Sequence, residues 1–108
     1  MRVYVSGPLS GENQAEERLN VLCASEVAAR LIERGHTVFL PHLYWYLDRN
    51  ARSCGIEIPY EAGMAQDLAW LECCDVLLWL GPSPGADRER TFAERLGIGI
   101  FLRLEDLP

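Results

Sequence analysis

Apolar residues recur along the chain in two alternating rhythms. Arg2–Ser6 is short and β-rich and ends at Gly7-Pro8, which predicts a first strand. From Gln14 to Arg34 the apolar positions Ala15, Leu19, Leu22, Cys23, Val27 and Leu31 form one helical stripe, and Gly35 stops that helix. Thr37–Leu40 predicts a second strand, ended by Pro41. Residues 42–56 keep neither period and read as irregular; they carry His42, Tyr44, Trp45 and Tyr46. Pro59 to Glu72 has helical spacing through Met64, Leu68 and Leu71. Asp75–Leu80 predicts a third strand, with the continuous apolar run of a central parallel strand. Ala86–Leu96 predicts a helix with Gly97 behind it, and Ile98–Leu102 a fourth strand.

Strands alternating with helices imply an α/β fold with a parallel sheet and right-handed crossovers. At 108 residues, with no repeat or linker, the chain is expected to form one domain spanning 1–108. The loops leaving the strand C-termini are then 7–13, 41–56 and 80–88. All three fall on the sheet edge where open α/β folds bind ligands.

Composition narrows the partners. Apolar residues make up 49% of the chain, which excludes disorder. The net charge of −6 argues against a nucleic-acid polymer as ligand. No apolar run approaches the roughly 20 residues that span a bilayer. With the first strand beginning at Met1 or Arg2, no signal peptide fits, and a cytoplasmic protein is expected. Cys23, Cys54, Cys73 and Cys74 lack zinc-ligand spacing and read as small buried residues in a reducing compartment. Neither a metal nor a cofactor is expected.

The strongest chemical signal is Ser83-Pro84-Gly85-Ala86-Asp87-Arg88-Glu89. It places Glu89 in the first turn of a helix, just past a buried strand. There the helix N-terminus favours the carboxylate anion. Glu89 also shares the inward face of Phe92 and Ala93. It is a candidate nucleophile or ligand clamp. Asp67, on or beside the stripe of Met64 and Leu71, is either a site residue or a buried cap. Periodicity alone does not bring it to the ligand edge. Gly7, Gly11 and Gly85 suit tight turns and close approach of backbone to a ligand. Ser10 and Ser83 could bind a phosphate or sugar, or cap a helix. His42 lies in a site loop and is a candidate contact, whereas His36 reads as structural. Tyr4, Tyr44, Trp45 and Tyr46 could stack a base or form an oligomer contact.

Three stretches resemble the nucleoside 2-deoxyribosyltransferase superfamily, which includes the 2′-deoxynucleoside 5′-phosphate N-hydrolases. Val3-Tyr4-Val5-Ser6-Gly7 is similar to its first strand. Asp67-Leu68-Ala69-Trp70-Leu71-Glu72-Cys73-Cys74-Asp75-Val76 resembles its D-L-x-W-L-x-x-x-D-V stretch. Pro82-Ser83-x-Gly85-x-x-x-Glu89 resembles its nucleophile loop.

The resemblance implies a flavodoxin/Rossmann-like three-layer sandwich that cleaves or transfers at the N-glycosidic bond of a small-molecule (deoxy)nucleoside or nucleotide through a covalent glycosyl-enzyme; the alternative is a non-catalytic nucleotide-binding or sensor domain of the same fold. It implies Glu89 as nucleophile, Asp67 as its acidic partner and Tyr4 as the residue that positions the carboxylate. Retaining chemistry would set the two carboxyl groups about 5–5.5 Å apart; Asp67, beside another carboxylate and partly buried, would then have a raised pKa and could serve as acid. From their loops, Gly7, Ser10, Gly11, His42, Ser83 and Gly85 are the expected substrate contacts. The hydrolases carry a basic residue in the first loop; Ser10 stands there in this chain, leaving Ser83 and backbone amides as phosphate candidates. Arg90 could supply the missing charge or point to solvent. Relatives borrow a pocket residue from a neighbouring subunit, a contribution expected here to be missing or to come from elsewhere; a homo-oligomer is expected because a four-stranded sheet leaves helix faces and loop aromatics to cover.

Overall fold

A computed structural model describes residues Met1–Pro108. Four parallel strands, β1 (Arg2–Ser6), β2 (Thr37–Phe39), β3 (Val76–Trp79) and β4 (Gly99–Phe101), stand in the order β2-β1-β3-β4. Parallel neighbours need a crossover, and helices supply each one. Helix α1 (Gln14–Glu33) joins β1 to β2, helices α2 (Tyr44–Ser53) and α3 (Tyr60–Leu71) join β2 to β3, and α4 (Pro84–Leu96) joins β3 to β4. The result is an α/β three-layer arrangement. Its strand order changes direction between β1 and β3, so a crevice opens at their C-terminal ends.

Strand alternation divides the core in two. Val3, Val5, Val76 and Leu78 face Leu31 of α1 and Leu107. Tyr4 and Leu77 face the opposite way, against Leu71 of α3 and Ala93 of α4. The register of Tyr4 beside Leu77 and Ser6 beside Trp79 carries this second face to the end of the strands.

Three sequence expectations fail. Residues 42–56 are helical for most of their length: a 3-10 turn at Pro41–Leu43 runs directly into α2. Pro41 opens that turn, and neither it nor α2 has a side-chain cap. Among the residues of α2 only Ala51 is buried, so the segment has neither a start signal nor an inward stripe. The buried face of α1 is also rotated from the expected stripe. Val21, Ala24, Ala28 and Leu31 face the sheet, while Leu19, Leu22 and Cys23 are exposed. The alanines bring the helix close to the strands, and the larger side chains turn outward. The cysteines are not buried either; Cys23, Cys54 and Cys73 are exposed, Cys74 is half-buried, and none is bridged.

Helix α4 is built as its sequence dictates. Ser83 Oγ accepts from the Ala86 backbone N–H at 3.0 Å, and Pro84 occupies the first turn. Gly97 ends the helix at φ 75°, in the left-handed region that favours glycine. No helix is long and apolar enough to cross a membrane.

Candidate active site

An open cavity of about 1300 Å³ lies at the C-terminal edge of the sheet. Each wall comes from a loop or helix that follows a strand. Gly7, Leu9 and Ser10 follow β1; Pro41, His42, Tyr44 and Trp45 follow β2; Ser83, Gly85 and Glu89 follow β3. Helix α3 contributes Tyr60, Met64 and Asp67. Two glycines allow the close packing. A Cβ at Gly7 would stand 2.9 Å from Leu80 Cβ, and one at Gly85 would stand 3.4 Å from Met64 Cε.

Glu89 is the innermost charged group, with 5% of its surface exposed. Helix α4 starts at Pro84, two residues earlier than expected, so Glu89 is its sixth residue rather than part of its first turn. The helix dipole acts chiefly over the first turn. The expected lowering of its pKa does not occur; burial pushes the carboxyl above its usual range. Two buried hydroxyls oppose that shift. Ser6 Oγ donates to Oε1 at 2.6 Å, and Tyr4 Oη donates to Oε2 at 2.5 Å. Both donors have no exposed surface. The Tyr4 phenol is itself pushed far up, by burial first and then by the nearby carboxylates of Glu89 and Asp67. It therefore remains a donor at any ordinary pH.

Asp67 lines the same cavity and is within electrostatic reach of Glu89. Its pKa is pushed up to about 7, by burial and then by the Glu89 charge. Oδ1 of Asp67 is buried without a hydrogen-bond partner in the protein. An acid that exchanges its proton near neutrality thus stands beside a buried carboxylate.

The other sequence candidates divide. His42 is buried and its Nε2 donates to the Pro8 carbonyl at 3.1 Å. That bond makes Nδ1 the acceptor, and Nδ1 has no partner. Burial lowers the His42 pKa against the pull of the Pro8 and Gly7 carbonyls, so the ring stays neutral. Ser10 reaches the cavity wall. Ser83 does too, although its hydroxyl is occupied in capping α4. Gly11 lies away from the cavity, where a Cβ would meet Glu16. Tyr44 and Trp45 line the cavity from α2, with the Trp45 Nε1 donating to Glu17 at 3.1 Å, while Tyr46 is exposed. Arg90 neither enters the cavity nor points freely to solvent. Its guanidinium lies 4.7 Å from the centre of the Trp79 ring. No group of His, Cys, Asp and Glu is arranged to hold a metal ion.

Ser6 was missed among the sequence candidates, and so were Arg49 and Arg52 of the cavity wall. The two arginines lie in the segment read as irregular. Ser6 had a legible signal. It is two residues from Tyr4 on a strand, and positions two apart share a face.

Residues 1–102 match the family described as a domain of unknown function, DUF4406, and the chain belongs to that family. No curated protein matches the sequence. Among solved structures, the chain is similar to the 2-deoxyribosyltransferase of the psychrotolerant bacterium Bacillus psychrosaccharolyticus. The TM-score is 0.61 at 23% identity, over 93% of this chain and 69% of that one. The two share a nucleoside deoxyribosyltransferase-like fold.

Proposed function

We propose that this chain cleaves or transfers at the N-glycosidic bond of a (deoxy)nucleoside or nucleotide, through a glycosyl ester on Glu89. The observation that carries the reading is the pairing of two unlike carboxyl groups in one cavity. One is buried and held by two hydroxyls; the other is poised to exchange a proton near pH 7. Pairs of titratable groups with such different surroundings divide naturally into nucleophile and acid–base partner. The solved structure of like fold, described as a biocatalyst for nucleoside synthesis, supports the same substrate class.

In the first step a Glu89 oxygen attacks the anomeric carbon and the C1′–N bond breaks. The bonding electrons leave with the base, which takes a proton from Asp67. In the second step water or another base attacks C1′, and the C1′–O bond to Glu89 breaks. Asp67, now anionic, takes the proton that the incoming nucleophile loses. Neutral His42, with its free Nδ1, offers an acceptor to a sugar or base N–H or O–H.

The test is chromatography of free base released from a panel of deoxynucleosides and their 5′-monophosphates, with and without an acceptor base. Release by the wild type and not by Glu89→Gln supports the reading, and the acceptor lanes separate transfer from hydrolysis. A folded protein that binds a nucleoside but releases no base from any substrate points to a binding domain and overturns it.

A further inference from the structure

Ser6 has no exposed surface and lies on a sheet face whose neighbours, Leu71, Leu77 and Ala93, are apolar. A hydroxyl in such a place must find a partner, and a valine there would pack without one. Its backbone carbonyl is already taken by the Leu80 N–H at 2.7 Å. The side chain has one hydrogen bond, the 2.6 Å contact to Glu89 Oε1.

The need for a second donor follows from the glutamate itself. Its terminal torsion joins tetrahedral to trigonal carbon and is broad, so one hydrogen bond leaves the carboxylate free to swing. Tyr4 alone would hold Oε2 and let Oε1 move. With a hydroxyl on each oxygen, the plane of the group is fixed.

We propose that Ser6 is a positioning residue for the nucleophile: its hydroxyl, together with that of Tyr4, fixes both Glu89 oxygens in the orientation from which one attacks and later departs. The inference rests on the glycosyl-transfer reading above. Whichever oxygen bonds to C1′, the other becomes the ester carbonyl oxygen and keeps a hydroxyl donor. When the C1′–O bond breaks, both donors again stabilise the departing carboxylate.

The groups around Glu89 leave Ser6 and Tyr4 as its two direct donors. From α3 the titratable neighbour is Asp67, whose proton affinity is raised by burial first and then by the Glu89 charge. From β3 the neighbour in register with Ser6 is Trp79; Arg90 lies over its ring, and its buried Nε1–H has no hydrogen-bond partner and makes no bond to Glu89. On α4 the other nearby cation, Arg88, is bound to Glu61 at 2.9 Å.

Ser6→Ala removes the donor without adding volume, and Ser6→Thr returns it. The measurement pairs the pH profile of base release with the titration of the Glu89 carboxyl carbon followed by 13C NMR. For Ser6→Ala, kcat is expected to fall about 10- to 100-fold, the worth of one hydrogen bond to a charged group. KM should stay within about twofold. The acid limb and the Glu89 carboxyl midpoint should both move up by about one to two pH units. Ser6→Thr should restore both. An unmoved carboxyl midpoint, or an equal loss of kcat at every pH, overturns the proposal. A midpoint that moves in a protein whose wild type releases no base supports the grip of Ser6 on Glu89 and refutes the glycosyl-transfer reading instead.

Discussion

The two faces of strand β1 differ as much as any two parts of this molecule. Val3 and Val5 look toward α1 and meet only apolar atoms of Leu31, Val76 and Leu78. Tyr4 and Ser6, one residue out of step, look toward α3 and α4 and carry hydroxyls to a buried carboxylate. The backbone is the same and so is the depth of burial. One face stabilises the fold through contact and loss of water. The other takes in a carboxylate that burial disfavours and holds it by hydrogen bonds. Apolar packing and the grip on a buried carboxyl group are thus separated by the pleat of a single strand.

Mutations can break that separation. The largest expected effect lies on the polar face: Glu89→Gln should lower base release by at least about 10³-fold while the protein stays folded. Rates and far-ultraviolet circular dichroism on the same sample would test this, and retained activity would remove Glu89 from the chemistry. On the dry face, Leu78→Ala should lose about 3 kcal/mol of stability in urea titration. The activity of the molecules that remain folded should be unchanged. A specific loss of activity there would show that the two faces are coupled.

A third change sharpens the contrast through pH. Folded Asp67 holds its proton up to about pH 7, whereas an unfolded aspartate releases it near pH 4. Between those values the folded state binds more protons, so this group makes stability fall as pH rises through the window. Above pH 7 the effect is complete. Asp67→Asn should therefore stabilise the protein by about 2 kcal/mol at pH 8 and by little at pH 4, while impairing base release. Urea titrations at both pH values check the sign; equal gains at both would contradict it. The smallest effect is expected at the edge of the site. Ser83→Ala loses the cap of α4 and about 1 kcal/mol of stability. Its effect on KM would show how far the cap also holds the helix that carries Glu89 in place.

Much of the fold was legible because local pattern and global role agree. The four strands and helices α1, α3 and α4 all declared themselves by period, and the caps at Ser83 and Gly97 are written in residue type. Helix α2 was hidden because nothing local marks it; it flows from a 3-10 turn without a side-chain cap and buries little but Ala51. The buried face of α1 departs from the stripe of its larger apolar residues, since Leu19 and Leu22 are exposed while Ala24 and Ala28 are buried. Close approach to a sheet favours the alanines, Ala24 and Ala28.

By itself the sequence determined the order of elements, the parallel sheet and the edge where the unusual residues gather. It did so because periods of 2 and 3.6 residues, and the turn preferences of Gly and Pro, act between neighbours along the chain. Only the tertiary structure decided that Ser6 and Tyr4 meet Glu89 across more than 80 residues, and that Asp67 shares its cavity. It also decided that Glu89 lies beyond the first turn of α4, where burial raises its proton affinity against the two hydroxyl donors. These outcomes depend on how elements pack and on how much water packing removes, quantities that no local pattern along the chain contains.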